Sequence, residues 1–222
     1  MAKSKELLEE LNSVLKGKGM DALLPPLVFT VANNYLTLLQ AALLSIVVAT
    51  IFGLVRLLKK QSWFYALAGL LGVVFASTLA FIANNASSFF IPSLVSSVAL
   101  VLATLISLLI NKPISAIASH LTRGWPWQWF MRKDIKPAYV ETSILWLAFF
   151  GLRTALQLFL FFQQNLTNFA WMNSLLGLPV TIGVLILTYV YGIWRLKTLK
   201  GPGVDEFIEN KQPPYVGQTR GF

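Results

Sequence analysis

Apolar runs with few or no charges alternate with short polar breaks along most of the chain, at residues 36–55, 63–83, 89–110, 138–162 and 171–194. Each approaches the roughly 20 residues an α-helix needs to cross about 30 Å of hydrocarbon. Five spanning helices are therefore predicted. Residues 22–32 supply a sixth that is short, since at about 1.5 Å per residue they cover about half of the hydrocarbon core. Pro25 and Pro26 stand at its beginning, where proline fits a first helical turn. Ahead of it, Leu7, Leu8, Leu11, Val14 and Leu15 share one helical face while Glu6, Glu9, Glu10 and Lys16 lie largely elsewhere, so residues 1–19 read as an amphipathic helix. Past the transmembrane region, 20–200, the sequences Gly201-Pro202-Gly203 and Pro213-Pro214-Tyr215 predict an extended C-terminal arm over residues 201–222.

The cations fix the threading. Lys3, Lys5, Lys16 and Lys18 precede the first span, and Arg56, Lys59 and Lys60 follow the second. Lys112, Arg123, Arg132, Lys133 and Lys136 lie between the fourth and fifth, and Arg195, Lys197, Lys200, Lys211 and Arg220 follow the sixth. The opposite turns, around Asn33-Asn34, 84–88 and 163–170, carry no charge. Segregation of Lys and Arg to one side is the positive-inside pattern. It predicts an all-α integral membrane protein of six transmembrane helices, arranged as three hairpins with both termini cytoplasmic. The net charge of +9 is then a topology signal and an attraction to anionic headgroups. Nucleic-acid binding is not expected, because the basic residues are spread over four separate stretches.

Composition narrows the chemistry. Of 222 residues, 56% are hydrophobic and 12% charged, too few polar side chains to clothe a water-soluble globule. With no cysteine and the single histidine His120, thiolate catalysis, disulfides and multi-histidine metal sites are excluded. No paired general acid and base is apparent, and neither a catalytic residue nor a cofactor is expected.

Two sets of residues stand out. Arg153 is the one charge deep inside a span, since Glu141 lies near the cytoplasmic end of the same run, with Gln157 one turn further on. A guanidinium near a bilayer centre costs about 2.5–3.5 kcal/mol on insertion scales, so it needs a partner. Asn84, Asn165 and Gln157 are the expected neutral partners, and a bound anion is the alternative. The second set lies in the connection 111–137, where Trp125, Trp127 and Trp129 are interleaved with Arg123, Arg132 and Lys133. Such a mixture suits an interfacial surface for anionic lipid or for a partner's acidic face.

The motifs Leu24-Pro25-Pro26 after Asp21, Val55-Arg56-Leu57, Gly69-Leu70-Leu71-Gly72-Val73 and Lys112-Pro113-Ile114 recur in a known pattern, as does the run from Trp146 through Phe149-Phe150-Gly151-Leu152-Arg153-Thr154-Ala155-Leu156-Gln157. On these the chain resembles a bacterial multi-pass membrane family catalogued as domain of unknown function 3159, over about residues 20–199. It is more remotely similar to the intracellular septation protein A family, through the proline-containing first hairpin, Lys112-Pro113 and the aromatic fifth span. Neither resemblance implies a catalytic residue; both imply a protein of the bacterial inner membrane. The expected function is a non-catalytic accessory or organising subunit that works through its cytoplasmic surfaces, with membrane lipids and other membrane protein subunits as partners. A small transporter of an anionic solute, with Arg153 as the binding residue, is the alternative.

Overall fold

The computed structural model describes residues 20–60, 63–218 and 221–222, and the amphipathic segment predicted at 1–19 lies outside them. The described chain is helical, with no strand. Its helices are α1 (Met20–Asn33), α2 (Leu38–Leu58), α3 (Trp63–Ile82), α4 (Ile91–Leu109), α5 (Ile114–Arg123), α6 (Trp127–Phe130), α7 (Lys136–Phe162), α8 (Leu166–Leu176), α9 (Leu178–Leu199) and α10 (Val204–Ile208). A 3-10 turn at Ala86–Phe90 leads directly into α4. Among the described residues, four stretches are long and apolar enough to cross a membrane: Leu38–Leu58, Ala86–Leu109, Lys136–Phe162 and Leu166–Leu199.

On α2, Leu39, Leu43, Val47, Ile51 and Leu54 line one face and all stand exposed, an apolar surface of the kind a bilayer covers. Side-chain hydroxyls along the helices are largely satisfied by their own backbone. Thr50, Thr78, Thr104, Ser174 and Thr188 each donate to a carbonyl one turn back. That removes the cost of carrying a hydroxyl where no water is available. Six helix ends turn through a left-handed residue that is not glycine, at Lys60, Asn84, Asn111, Gln164, Lys200 and Asn210.

The chain forms two compact units. The first comprises the described residues up to Val95 together with Gln157–Leu178. Phe29 stacks on Phe89 at 4.1 Å, Phe90 packs on Phe169 at 4.6 Å, and Ala41, Ala42, Ala76 and Ala80 let the helices close around these rings. Pro25 and Pro26 sit inside α1 rather than at its start. The Ser45 hydroxyl donates to the Pro25 carbonyl from α2 at 2.9 Å, and Thr30 donates to that of Pro26. The second unit comprises Ser96–Leu156 and Pro179–Phe222.

The last apolar run, read as one helix over 171–194, is broken. It ends as α8 at Leu176 and restarts as α9 at Leu178. Gly177 takes φ −70°, ψ −123°, and a Cβ there would lie 2.5 Å from the Asn173 carbonyl oxygen. Pro179 also lacks the N–H that a continuous helix would bond one turn back. The loop expected over 163–170 shrinks accordingly to Gln163–Asn165, because the Asn165 side chain accepts from the Asn168 N–H and starts α8 at once.

Candidate functional site

In the second unit, the connection 111–137 and the segment after Gly201 fold together into one aromatic cap. Pro113 precedes α5, and Ser115 at its start ties the helix to α7 by donating to the Tyr139 carbonyl at 2.7 Å while its backbone N–H donates to the Ser143 hydroxyl. Gly124, left-handed at φ 69°, ends α5 and turns the chain into Trp125-Pro126. The short helix α6 then delivers Trp129 and Phe130 to the interior, where both are fully buried against Ile135, Ala138 and Tyr139. His120 Nδ1 lies 2.6 Å from the Trp125 carbonyl oxygen and must donate to it, because a carbonyl only accepts. Its ring meets Trp127 and Phe130 edge-on.

The C-terminal segment completes this core and is not extended throughout. Trp129 Nε1 donates to the Pro202 carbonyl at 2.9 Å, and Val204, Phe207 and Phe222 pack into the aromatic cluster. The Phe222 ring stacks on Tyr139 at 4.4 Å, and its main-chain oxygen accepts from Arg123 Nε. Apolar burial outweighs the Gly- and Pro-rich composition that suggested an arm.

Glu206 closes the segment on itself. Its carboxylate accepts from the N–H groups of Gly203, Val216 and Gly217 at 2.7–3.0 Å. These bonds, first that from Gly203, hold its pKa below the ordinary 4.5. Their stabilisation is complete above that ordinary value and is lost as the pH falls through the lower folded one. Followed by NMR from pH 7 to pH 2, the Val216 and Gly217 amide protons are expected to shift with a midpoint below 4.5; a midpoint at or above 4.5 contradicts this arrangement.

The cap also accounts for most of the predicted interfacial surface. Trp129 is in the core and Trp125 and Trp127 are half-buried beside it. Arg123 lies over the Trp125 ring at 5.0 Å. Arg132 makes a two-pronged ion pair with Asp134, whose hydrogen bond holds the guanidinium above its ordinary pKa, and covers the Phe207 ring. Lys133 is exposed, and of the three cations it alone has no hydrogen-bond, ring or ion-pair partner among the described residues. The Trp129 indole is enclosed by protein, where a ring of this size contributes most.

The intramembrane set divides differently from expectation. Gln157 is fully buried, and its amide donates to Asn173 Oδ1 at 2.6 Å and to the Ser93 hydroxyl at 3.3 Å. Asn173 donates to the same hydroxyl, so the first unit holds a three-residue polar node on α4, α7 and α8. Asn84 and Asn165 are not part of it. Asn84 takes the left-handed conformation that ends α3, and Asn165 caps α8. Both roles use the asparagine side chain or its tolerance of positive φ locally. Arg153 is half-buried, and its Nε has no hydrogen-bond partner among the described residues.

Sequence reading missed one further cluster in the second unit. The Glu141 carboxylate accepts from Arg195 Nε and Nη2 at 2.7–3.0 Å and from the Tyr191 hydroxyl at 2.7 Å, tying α7 to α9. The signal available was that Glu141 is an acid inside an apolar stretch and needs a cation.

No curated protein and no solved structure matches the chain. A family model described as a protein of unknown function, DUF3159, matches residues 18–197, a stretch that includes the helices of the first unit, the polar node, Glu141 and Arg195. The chain is a membrane protein with several apolar helices and belongs to that family.

Proposed function

We propose that this protein is a non-catalytic organising or accessory subunit of a bacterial cytoplasmic-membrane assembly, threaded six times with both termini cytoplasmic. Kinship with the intracellular septation protein A family is part of the proposal. The observation that carries it is the cap: the connection 111–137 and the C-terminal segment are built into one folded surface around a buried aromatic core. That core leaves Leu121, Ile208 and Val216 more than half exposed on the outside. Exposed large apolar side chains outside the bilayer are the usual mark of a partner surface. The charge distribution supports placing this surface in the cytoplasm.

The test is purification of the full chain from its native membrane in mild detergent. A stoichiometric protein partner is expected with the wild type and is expected to be lost in the double variant Ile208→Glu, Val216→Glu. A wild-type chain that elutes alone counts against the proposal.

The unpartnered Arg153 Nε favours a second reading, an anion-binding residue of a small transporter. Under that reading Arg153→Met folds normally and abolishes uptake of an anionic solute into proteoliposomes. Under the organising reading there is no uptake to abolish.

A further inference from the structure

Two clefts in the second unit meet at Glu141. One, about 390 Å³, is lined by Asn111, Lys133, Lys136, Pro137 and Val140 with Glu141 at its edge. The other, about 370 Å³, is lined by Glu141, Ile144, Leu145, Leu187 and Tyr191. On α7 the residues 136, 137, 140, 141, 144 and 145 follow one another at one- and three-residue steps, so the two clefts are successive parts of a single stripe. From Lys136 to Leu145 that stripe runs about 14 Å along the helix, from a basic end to an apolar one.

The charges select the occupant. Glu141 is cancelled by its two-pronged bond to Arg195, and with Tyr191 the four hydrogen bonds use up the acceptor capacity of its carboxylate. It has nothing left to offer a choline or an ammonium group. Lys133, Lys136 and the Asn111 side chain have no hydrogen-bonding or ionic partner among the described residues, so the basic end presents two uncompensated cations and an amide. Basic pockets between transmembrane helices recruit phosphate head groups, and the apolar lower cleft between α7 and α9 suits a hydrocarbon chain. We propose that this stripe seats one anionic phospholipid, its phosphate against Lys133, Lys136 and Asn111 and one acyl chain beside Ile144 and Leu187. The assignment rests only on the chain spanning a membrane with this end at the headgroups, and stands whether or not the cap holds a protein partner.

Native mass spectrometry of the detergent-solubilised full chain tests it, with phosphatidylglycerol, phosphatidylcholine and glycerol phosphate as probes. The wild type is expected to retain one phosphatidylglycerol at least tenfold more tightly than phosphatidylcholine, and glycerol phosphate is expected not to compete. Lys133→Gln with Lys136→Gln should abolish the preference. Ile144→Trp, at a half-exposed position that blocks the lower cleft while leaving every charge in place, should weaken retention of phosphatidylglycerol at least tenfold. Lys59→Gln with Lys60→Gln, which removes the same charge elsewhere, should leave both unchanged. Equal losses in the two lysine pairs, equal retention of the two lipids, or competition by glycerol phosphate would each overturn the proposal. Because the tryptophan variant keeps both lysines, it tests the seat even where the double glutamine variant fails to fold.

Discussion

Trp129→Ala is expected to release the cap while leaving the spanning helices folded. Trp129 is fully buried among Trp125, Phe130 and Tyr139, and its indole N–H is the bond that fastens Pro202 and the segment after it. Truncating a buried tryptophan to alanine costs about 3–5 kcal/mol through lost burial and the cavity left behind. The unpaired Pro202 carbonyl is included in that loss. Each 1.4 kcal/mol is a factor of ten, so the open form of the segment should rise by two orders of magnitude or more. Tryptic cleavage at the exposed Lys211 tracks that open population and should accelerate to match. Trp129→Phe keeps most of the ring and loses the donor, and should fall between, at about 1–3 kcal/mol. Unchanged cleavage in the alanine variant would mean that the cap does not depend on this side chain.

Gly192→Leu should expel Phe222 and yet stabilise the helix that carries it. A Cβ at Gly192 would lie 2.4 Å from the Phe222 ring, so the ring rests directly on the α9 backbone, with Tyr139 stacked on it within 6° of parallel. No side chain fits there without moving the ring. Loss of the stack costs about 0.5–1.5 kcal/mol, and exposure of the ring about 1.5–3 kcal/mol. In an exposed helix interior the same replacement of glycine gains roughly 0.5–1 kcal/mol. The two effects oppose each other in different places. The thermal midpoint of the helical core should hold or rise while the segment around Phe222 loses protection in hydrogen exchange. Phe222→Ala should give the same local loss, and the double variant little more, since both remove one contact. Additive losses would show that Phe222 does not sit in the Gly192 slot.

Much of the helical scaffold was legible in the sequence. The apolar runs located α2, α3, α4 and α7 to within three residues at each end, because a lipid-exposed helix must be apolar over most of its length. The break at Gly177 was hidden inside an unbroken apolar run, where a lone glycine is a weak signal. The cap was invisible for a different reason. Trp129 meets Pro202 across 73 positions of sequence, and the Gly-Pro and Pro-Pro steps that suggested an extended arm say nothing of what Val204, Phe207 and Phe222 bury themselves against. Gln157 reads from the sequence as a neutral partner for Arg153, whereas its actual partners Ser93 and Asn173 lie 64 and 16 positions away, beyond the reach of a local pattern. Asn84 and Asn165 lie on the outward side of the sequence pattern, but the local geometry of chain reversal occupies both.

The central claim is the threading, with the cations on one side of the membrane. The chain has no cysteine, so single cysteines can be placed freely and probed with a membrane-impermeant maleimide in intact cells. Cysteines replacing Asn34, Asn84 and Gln164 are expected to react from outside, and those replacing Lys59, Gly124 and Asn210 only after permeabilisation. Should Lys59 and Gly124 prove reachable from opposite faces, or Asn84 prove shielded until the cells are opened, the six-span account is wrong.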